Sequence, residues 1–162
     1  MSVKKMSVLE FQLFRKQQFD CVNNLIIPNV LDKKHVFVTA PVKSGKRELV
    51  EIFARITDNS RDDIYTHFYI CNLDRKDCKD QIIELEEYNI KTMIGRDIRK
   101  TLSEKLKVID QCLINGHKLI FHIDESDFGS GYKQALYDLL INVYRKEDCH
   151  FVFYSAKRSE EH

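Results

Sequence analysis

Two short stretches of this chain carry residue types that could do chemistry together. The first, Ala40-Pro41-Val42-Lys43-Ser44-Gly45-Lys46-Arg47, joins an apolar run at 35–39 to a segment with helical spacing. A tight turn at such a junction aims consecutive backbone N–H groups at a polyphosphate, and the start of the following helix adds partial positive charge. Gly45 permits that backbone geometry and Lys46 neutralises the terminal phosphates. The second, Asp124-Glu125-Ser126-Asp127, follows the apolar Leu119-Ile120-Phe121-His122-Ile123 and puts paired carboxylates at the C-terminal end of a strand. Phosphoryl transfer asks for these groups: a metal ion to neutralise developing charge, and a base to position the nucleophile. The stretches lie 78 positions apart (124 minus 46), room for two intervening strand-helix units.

The elements that must position them follow from periodicity. Runs of β-branched and aromatic residues at 35–39, 64–71, 90–94, 118–123 and 150–154 predict strands, and the segments 47–56, 76–88, 98–115 and 132–145 predict helices. In the last of these Leu136, Leu139, Leu140 and Val143 form one apolar stripe, with Lys133, Asp138 and Asn142 outside it. Strands alternating with long helices imply crossover connections, so the expected class is α/β: three layers, with a mostly parallel central sheet covered on both faces. Ligands of such sheets bind beyond the carboxyl ends of the strands, which turns the Lys46 loop and the acid pair toward one crevice. Residues 1–30 read as a separate helical segment, with Phe11, Phe14, Phe19, Val22 and Leu25 periodic and an end near Pro28. The expected division is this segment packed on a single domain over 31–162.

Composition narrows the classes. The 162 residues suit one domain, and 26 Lys plus Arg against 25 Asp plus Glu leave no overall pull toward nucleic acid or an anionic membrane, so any basic site is local. No apolar run approaches a spanning length, and Glu10, Arg15 and Lys16 interrupt any signal-like region. Five cysteines without a Cys-x-x-Cys pair read as buried thiols of an intracellular protein, cytoplasmic or nuclear, with no membrane partner. His122, inside an apolar strand, reads as a core histidine satisfied by a hydrogen bond. Glu84, Glu86 and Glu87 read as a solvated helix face.

The stretch 40–47 resembles the P-loop pattern, with Ala40 at its first position, four residues, then Gly45-Lys46. Position 47 departs from it. P-loop proteins carry Ser or Thr there, whose hydroxyl binds Mg²⁺, whereas Arg47 has only donors and a permanent charge and cannot ligate a cation. Either Mg²⁺ is held by the acidic stretch and water, or hydrolysis is impaired; Arg47 could also reach a phosphate directly.

With Asp124-Glu125-Ser126-Asp127 in the order of a D-E-x-D box, the chain resembles the N-terminal RecA-like, ATP-binding domain of superfamily 2, DEAD-like helicases, from about 15 to 157. The resemblance implies ATP and Mg²⁺, with Lys46, Asp124 and Glu125 catalytic: Asp124 on the metal and Glu125 on the attacking water. Residues Ala40, Pro41, Val42, Lys43, Ser44, Gly45, Lys46 and Arg47 would form the nucleotide cradle. Arg15-Lys16-Gln17-Gln18 is similar to the family's adenine-reading element, with Gln18 the contact. Ser155-Ala156-Lys157 is similar to its Ser-Ala-Thr element, which couples ATP state to nucleic-acid grip, although Lys157 departs at the third place. Residues 72–81 and Thr92-Met93-Ile94-Gly95-Arg96 are similar to its nucleic-acid elements and put Arg75, Lys76 and Arg96 against phosphates of single-stranded DNA or RNA. The insert Phe128-Gly129-Ser130-Gly131 resembles those of viral and phage helicase-like proteins. That family places ATP between two RecA-like domains, so a second such domain, in cis or in trans, is the implied partner, and this piece alone is expected to be a poor ATPase and no helicase. Two rivals remain: a non-hydrolysing P-loop module that binds nucleotide or a protein partner, and a small-molecule kinase.

Overall fold

A computed structural model of the chain describes residues 8–34, 36–40, 46–71, 78–124 and 130–156. In chain order the elements are α1 (Val8–Cys21), a π-helical turn (Val22–Ile26), α2 (Ile27–Leu31), β1 (Val36–Ala40), α3 (Lys46–Asp58), β2 (Tyr65–Cys71), α4 (Cys78–Glu87), β3 (Ile90–Ile94), α5 (Gly95–Ile114), β4 (Lys118–Asp124), α6 (Ser130–Val143) and β5 (Cys149–Ala156). Each predicted strand and helix is present, with ends moved by a few residues. The class is α/β.

The sheet has five strands in the order β1-β5-β4-β2-β3, and every pairing is parallel. The chain winds one way from β1 to β2 and β3, then back through β4 to β5. A fixed crossover hand then requires the helices of the two halves to cover opposite faces. They do. Leu49, Val50, Phe53 and Ala54 of α3 and Leu85 of α4 pack with Tyr69, Ile120, Val152 and Tyr154 on one face. Ile98 and Ile109 of α5 and Ala135, Leu136, Leu139 and Val143 of α6 pack with Phe68, Ile70, Phe121 and Ile123 on the other. Strand alternation produces the division: odd positions of β2 and even positions of β4 and β5 meet α3, and their neighbours meet α5 and α6.

The N-terminal helix does not stop near Pro28, as its proline suggests, but continues to Leu31. A proline inside an α-helix lacks a donor and crowds the preceding turn. Here the turn before it is π-helical, with Ile27 N–H bonded to Val22 O, and the widened turn accommodates the ring. The Asn29 amide donates to Leu25 O at 2.6 Å. Val22, Ile26 and Val30 then bury on the α3 side of the sheet.

Helix ends are set locally. After α5, Gly116 adopts φ +80°, its N–H bonds Leu113 O, and the His117 N–H bonds Cys112 O, both at 3.0 Å. This is the paired Schellman closure that a glycine permits, and it delivers the chain into β4. Lys33 closes α2 the same way at φ 60°, with Lys33 N to Val30 O and Lys34 N to Asn29 O.

Candidate functional site

Because all five strands run parallel, their carboxyl ends share one edge of the sheet. β1 ends there at Ala40 and α3 starts at Lys46, while β4 ends there at Asp124. Only β5 lies between β1 and β4, a separation of two strand spacings or about 10 Å. The helix after β1 goes to one face and the helix after β4 to the other, so the chain diverges above this part of the edge, the arrangement that opens a crevice in parallel sheets. The N-terminus of α3, whose first backbone N–H groups have no partner within the helix, contributes positive partial charge at the same edge.

Asp124 is half-buried, and its Oδ2 accepts a hydrogen bond from the Tyr69 hydroxyl at 2.7 Å. That bond fixes its face: Tyr69 belongs to the α3 side, so the carboxylate lies on the side of the sheet over which Lys46 begins a helix. Burial, and then the adjacent Asp124 charge, hold the Tyr69 phenol well above its ordinary range, so it is a donor at neutral pH.

Beneath Asp124 runs a second polar line. Thr57 Oγ1 lies 2.7 Å from His67 Nε2, His67 Nδ1 lies 2.8 Å from His122 Nε2, and His122 Nδ1 lies 2.8 Å from the Tyr154 hydroxyl. All four residues are buried. The Thr57 hydroxyl is also within 3.0 Å of Phe53 O and 3.1 Å of Ala54 O. If it donates to a carbonyl, every other proton in the line is assigned: His67 donates to Thr57, His122 donates to His67, and Tyr154 donates to His122. Both rings are then neutral. Desolvation favours the same state, taking His67 down to about 3 and His122 well below its ordinary value, with the neighbouring His67 adding to the second shift. The edge of Phe53 packs against both imidazoles. His122 is thus the core histidine its strand suggested, with two ring partners.

Arg47 turns toward carboxylates. Its Nη2 lies 3.3 Å from Glu84 Oε2 of α4, and its Nε lies 3.9 Å from Glu51 Oε1, one turn along α3. Burial, and next the Glu84 charge, push the Glu51 carboxyl upward, while Arg47 pulls it down. Glu84 is therefore a partner of Arg47 in addition to lying on a solvated face.

The other expected site residues divide by location. Gln18 is buried in α1. Ser155 and Ala156 form the end of β5, level with Thr39 and Ala40. The Ser155 hydroxyl lies 3.3 Å from the Thr39 hydroxyl, on the face opposite Asp124. Arg96 is the second residue of α5, remote in sequence from the acid edge, and neither its side chain nor that of Lys46 is among those described. Pro41, Val42, Lys43, Ser44, Gly45, Arg75, Lys76 and Glu125 lie outside the described residues. Tyr69 was not singled out from the sequence, where a tyrosine within Tyr65–Cys71 reads as strand core.

A basic concavity lined by Lys33, Lys34, Arg145 and His150 opens at the opposite end of the sheet, where the strands begin. Two of its cations are engaged: Lys33 donates to Lys146 O, and Lys34 pairs with Asp32 at 3.6 Å. The His150 ring N–H donates to Val30 O, tying α2 to β5. Among the described residues, no helix is long and apolar enough to cross a membrane.

No group of three or more His, Cys, Asp or Glu side chains among the described residues could enclose a metal ion. A single carboxylate at an open edge fits a different mode, in which Mg²⁺ keeps several waters and is shared with substrate phosphates. No protein-family model matches the chain, and no curated protein does either.

Proposed function

We propose that this chain is the ATP-binding, RecA-like P-loop domain of a helicase-like, nucleic-acid-dependent ATPase, active when a second RecA-like domain completes the site. The observation that carries the reading is the location of Asp124: on the face where α3 starts at Lys46, at the same edge, one strand away from β1. Lys46 and the backbone of 40–47 hold the phosphates. Asp124 supplies the hard oxygen that a phosphate-bound Mg²⁺ prefers. Bound there, the ion neutralises charge that develops on the transferred phosphoryl group. Glu125, next to Asp124 in sequence, orients the water.

Arg47 favours a second reading, a nucleotide-binding module without turnover. It replaces the hydroxyl that would share the metal, and its guanidinium is committed to Glu51 and Glu84. ATP titration with and without Mg²⁺, followed by phosphate release with added single-stranded DNA or RNA, separates the two. Saturable Mg²⁺-ATP binding, weakened at least tenfold in Lys46→Ala, supports a P-loop site in either case. Stimulated phosphate release in the presence of the completing domain selects the ATPase, and binding without release selects the passive module. Absence of saturable binding overturns both.

A further inference from the structure

We infer that Tyr69 is a positioning residue for Asp124, its phenol fixing one carboxylate oxygen and thereby setting how tightly the edge takes a divalent cation. The inference rests on the nucleotide-site reading and deepens it by adding a residue outside every motif.

The geometry behind it is repeated across the sheet. Tyr69 is level with His122 on the adjacent strand, yet it bonds Asp124, two residues further on. His67 is level with Ile120 and bonds His122; His122 is level with Val152 and bonds Tyr154. All three bonds lean toward the carboxyl edge by the same two-residue step, so the Tyr69 bond follows the register of the sheet. β2 is an interior strand, paired to β3 and β4. Tyr69 is buried, and its ring packs with the α3-side core. Asp124 is the last residue of β4, level with Tyr154 of β5. A rigid donor from the neighbouring strand adds a restraint on one oxygen of its side chain. Outer partners of this kind orient ligating carboxylates, and their loss typically weakens metal binding 10- to 100-fold.

A purely structural role would run the other way, with a buried phenol needing an acceptor and Asp124 merely available. The two are separable in Tyr69→Phe, which keeps the ring and removes the donor. The probe is Mn²⁺, titrated by electron paramagnetic resonance in the presence of ATP, on the wild type and the variant, beside metal-free ATP binding and the melting temperature. The expected result is Mn²⁺ binding about tenfold weaker in the variant, with metal-free ATP affinity unchanged. If the wild type takes Mn²⁺ with ATP and the variant matches it within twofold, this inference falls while the nucleotide site stands. If the wild type takes no Mn²⁺ with ATP, the site reading falls and this inference with it. Should the variant not fold, the unsubstituted chain decides. It has no tryptophan, so its near-ultraviolet difference spectrum reports tyrosines cleanly. Adding Mg²⁺ to the ATP-loaded protein shifts a tyrosine band if the cation draws charge from the carboxylate that the phenol bonds, and an unchanged spectrum overturns the inference.

Discussion

The two faces of the sheet are built from the same strands by opposite means. On the face under α5 and α6, aromatic rings stack straight across the register. Phe68, Phe121 and Phe151 are level on β2, β4 and β5, with ring centroids 5.0 and 5.3 Å apart, and Phe37 and Phe153 repeat the arrangement at 5.1 Å on β1 and β5. On the face under α3, the strands join through diagonal hydrogen bonds, His67 to His122 to Tyr154 and Tyr69 to Asp124. A ring stacks best on the residue beside it, whereas a polar tip reaches forward to the next row, as diagonal neighbours across strands can. The stacked face has only to fill space; the bonded face must also pair the polar rings it buries, and it leads to the acid edge.

The sharpest way to break this contrast is to remove a ring. Phe121 is fully buried between two stacked neighbours, and Phe121→Ala is expected to cost about 3–5 kcal/mol in urea unfolding, enough to remove much of a small domain's stability. No hydrogen bond on the other face involves its side chain, so a variant that stays folded should retain the tyrosine environment of Tyr69.

Acid distinguishes the faces next. His67 is neutral in the fold down to about pH 3, against an ordinary value near 6.5. Below pH 6.5 the unfolded chain binds a proton that the native chain refuses, so stability is full above that pH and falls by about 1.4 kcal/mol per unit until the folded ring also protonates. By pH 4 the loss from His67 alone is about 3 kcal/mol, read as a falling urea midpoint. On the stacked face the buried thiol of Cys149 is pushed up to about 11, away from this range. A flat urea midpoint from pH 7 to 4 would contradict the buried neutral histidine.

The smallest change tests one link. Thr57→Val leaves the His67 Nε2 without its α3 partner, at a cost of about 1–2 kcal/mol for an orphaned buried group. The acid slope should persist in this variant, because burial and not the threonine depresses the ring. Loss of the slope together with Thr57 would assign the shift to the hydrogen bond instead.

Much of this was legible in the residues. Aromatic and β-branched runs separated by helical periods specify an alternating chain, and each element formed close to where its period placed it. Asp124 ended a strand, as the change from apolar Ile123 to acid indicated. What periodicity does not carry is strand order. Tyr69 and Asp124 are 55 positions apart and meet because β2 and β4 are neighbours, a fact set by crossover winding and helix packing. For Arg47 only the position beside Lys46 is visible in the sequence; its partner Glu84 comes from α4 and is brought to it by packing. Pro28 misled for a local reason, since the π turn that absorbs it has no strong residue signature.

The position of β5 has a consequence for how the molecule comes into being. It is the last of the five strands to be synthesised, yet it is the slat wedged between β1 and β4. A nascent chain ending before Cys149 has β1, which leads toward Lys46, and β4, which ends at Asp124, with no strand to join them, and the polar line lacks the Tyr154 that ends it. The carboxyl edge that brings the start of α3 near Asp124 should therefore assemble late and abruptly during translation, when residues 149–156 emerge and slot home.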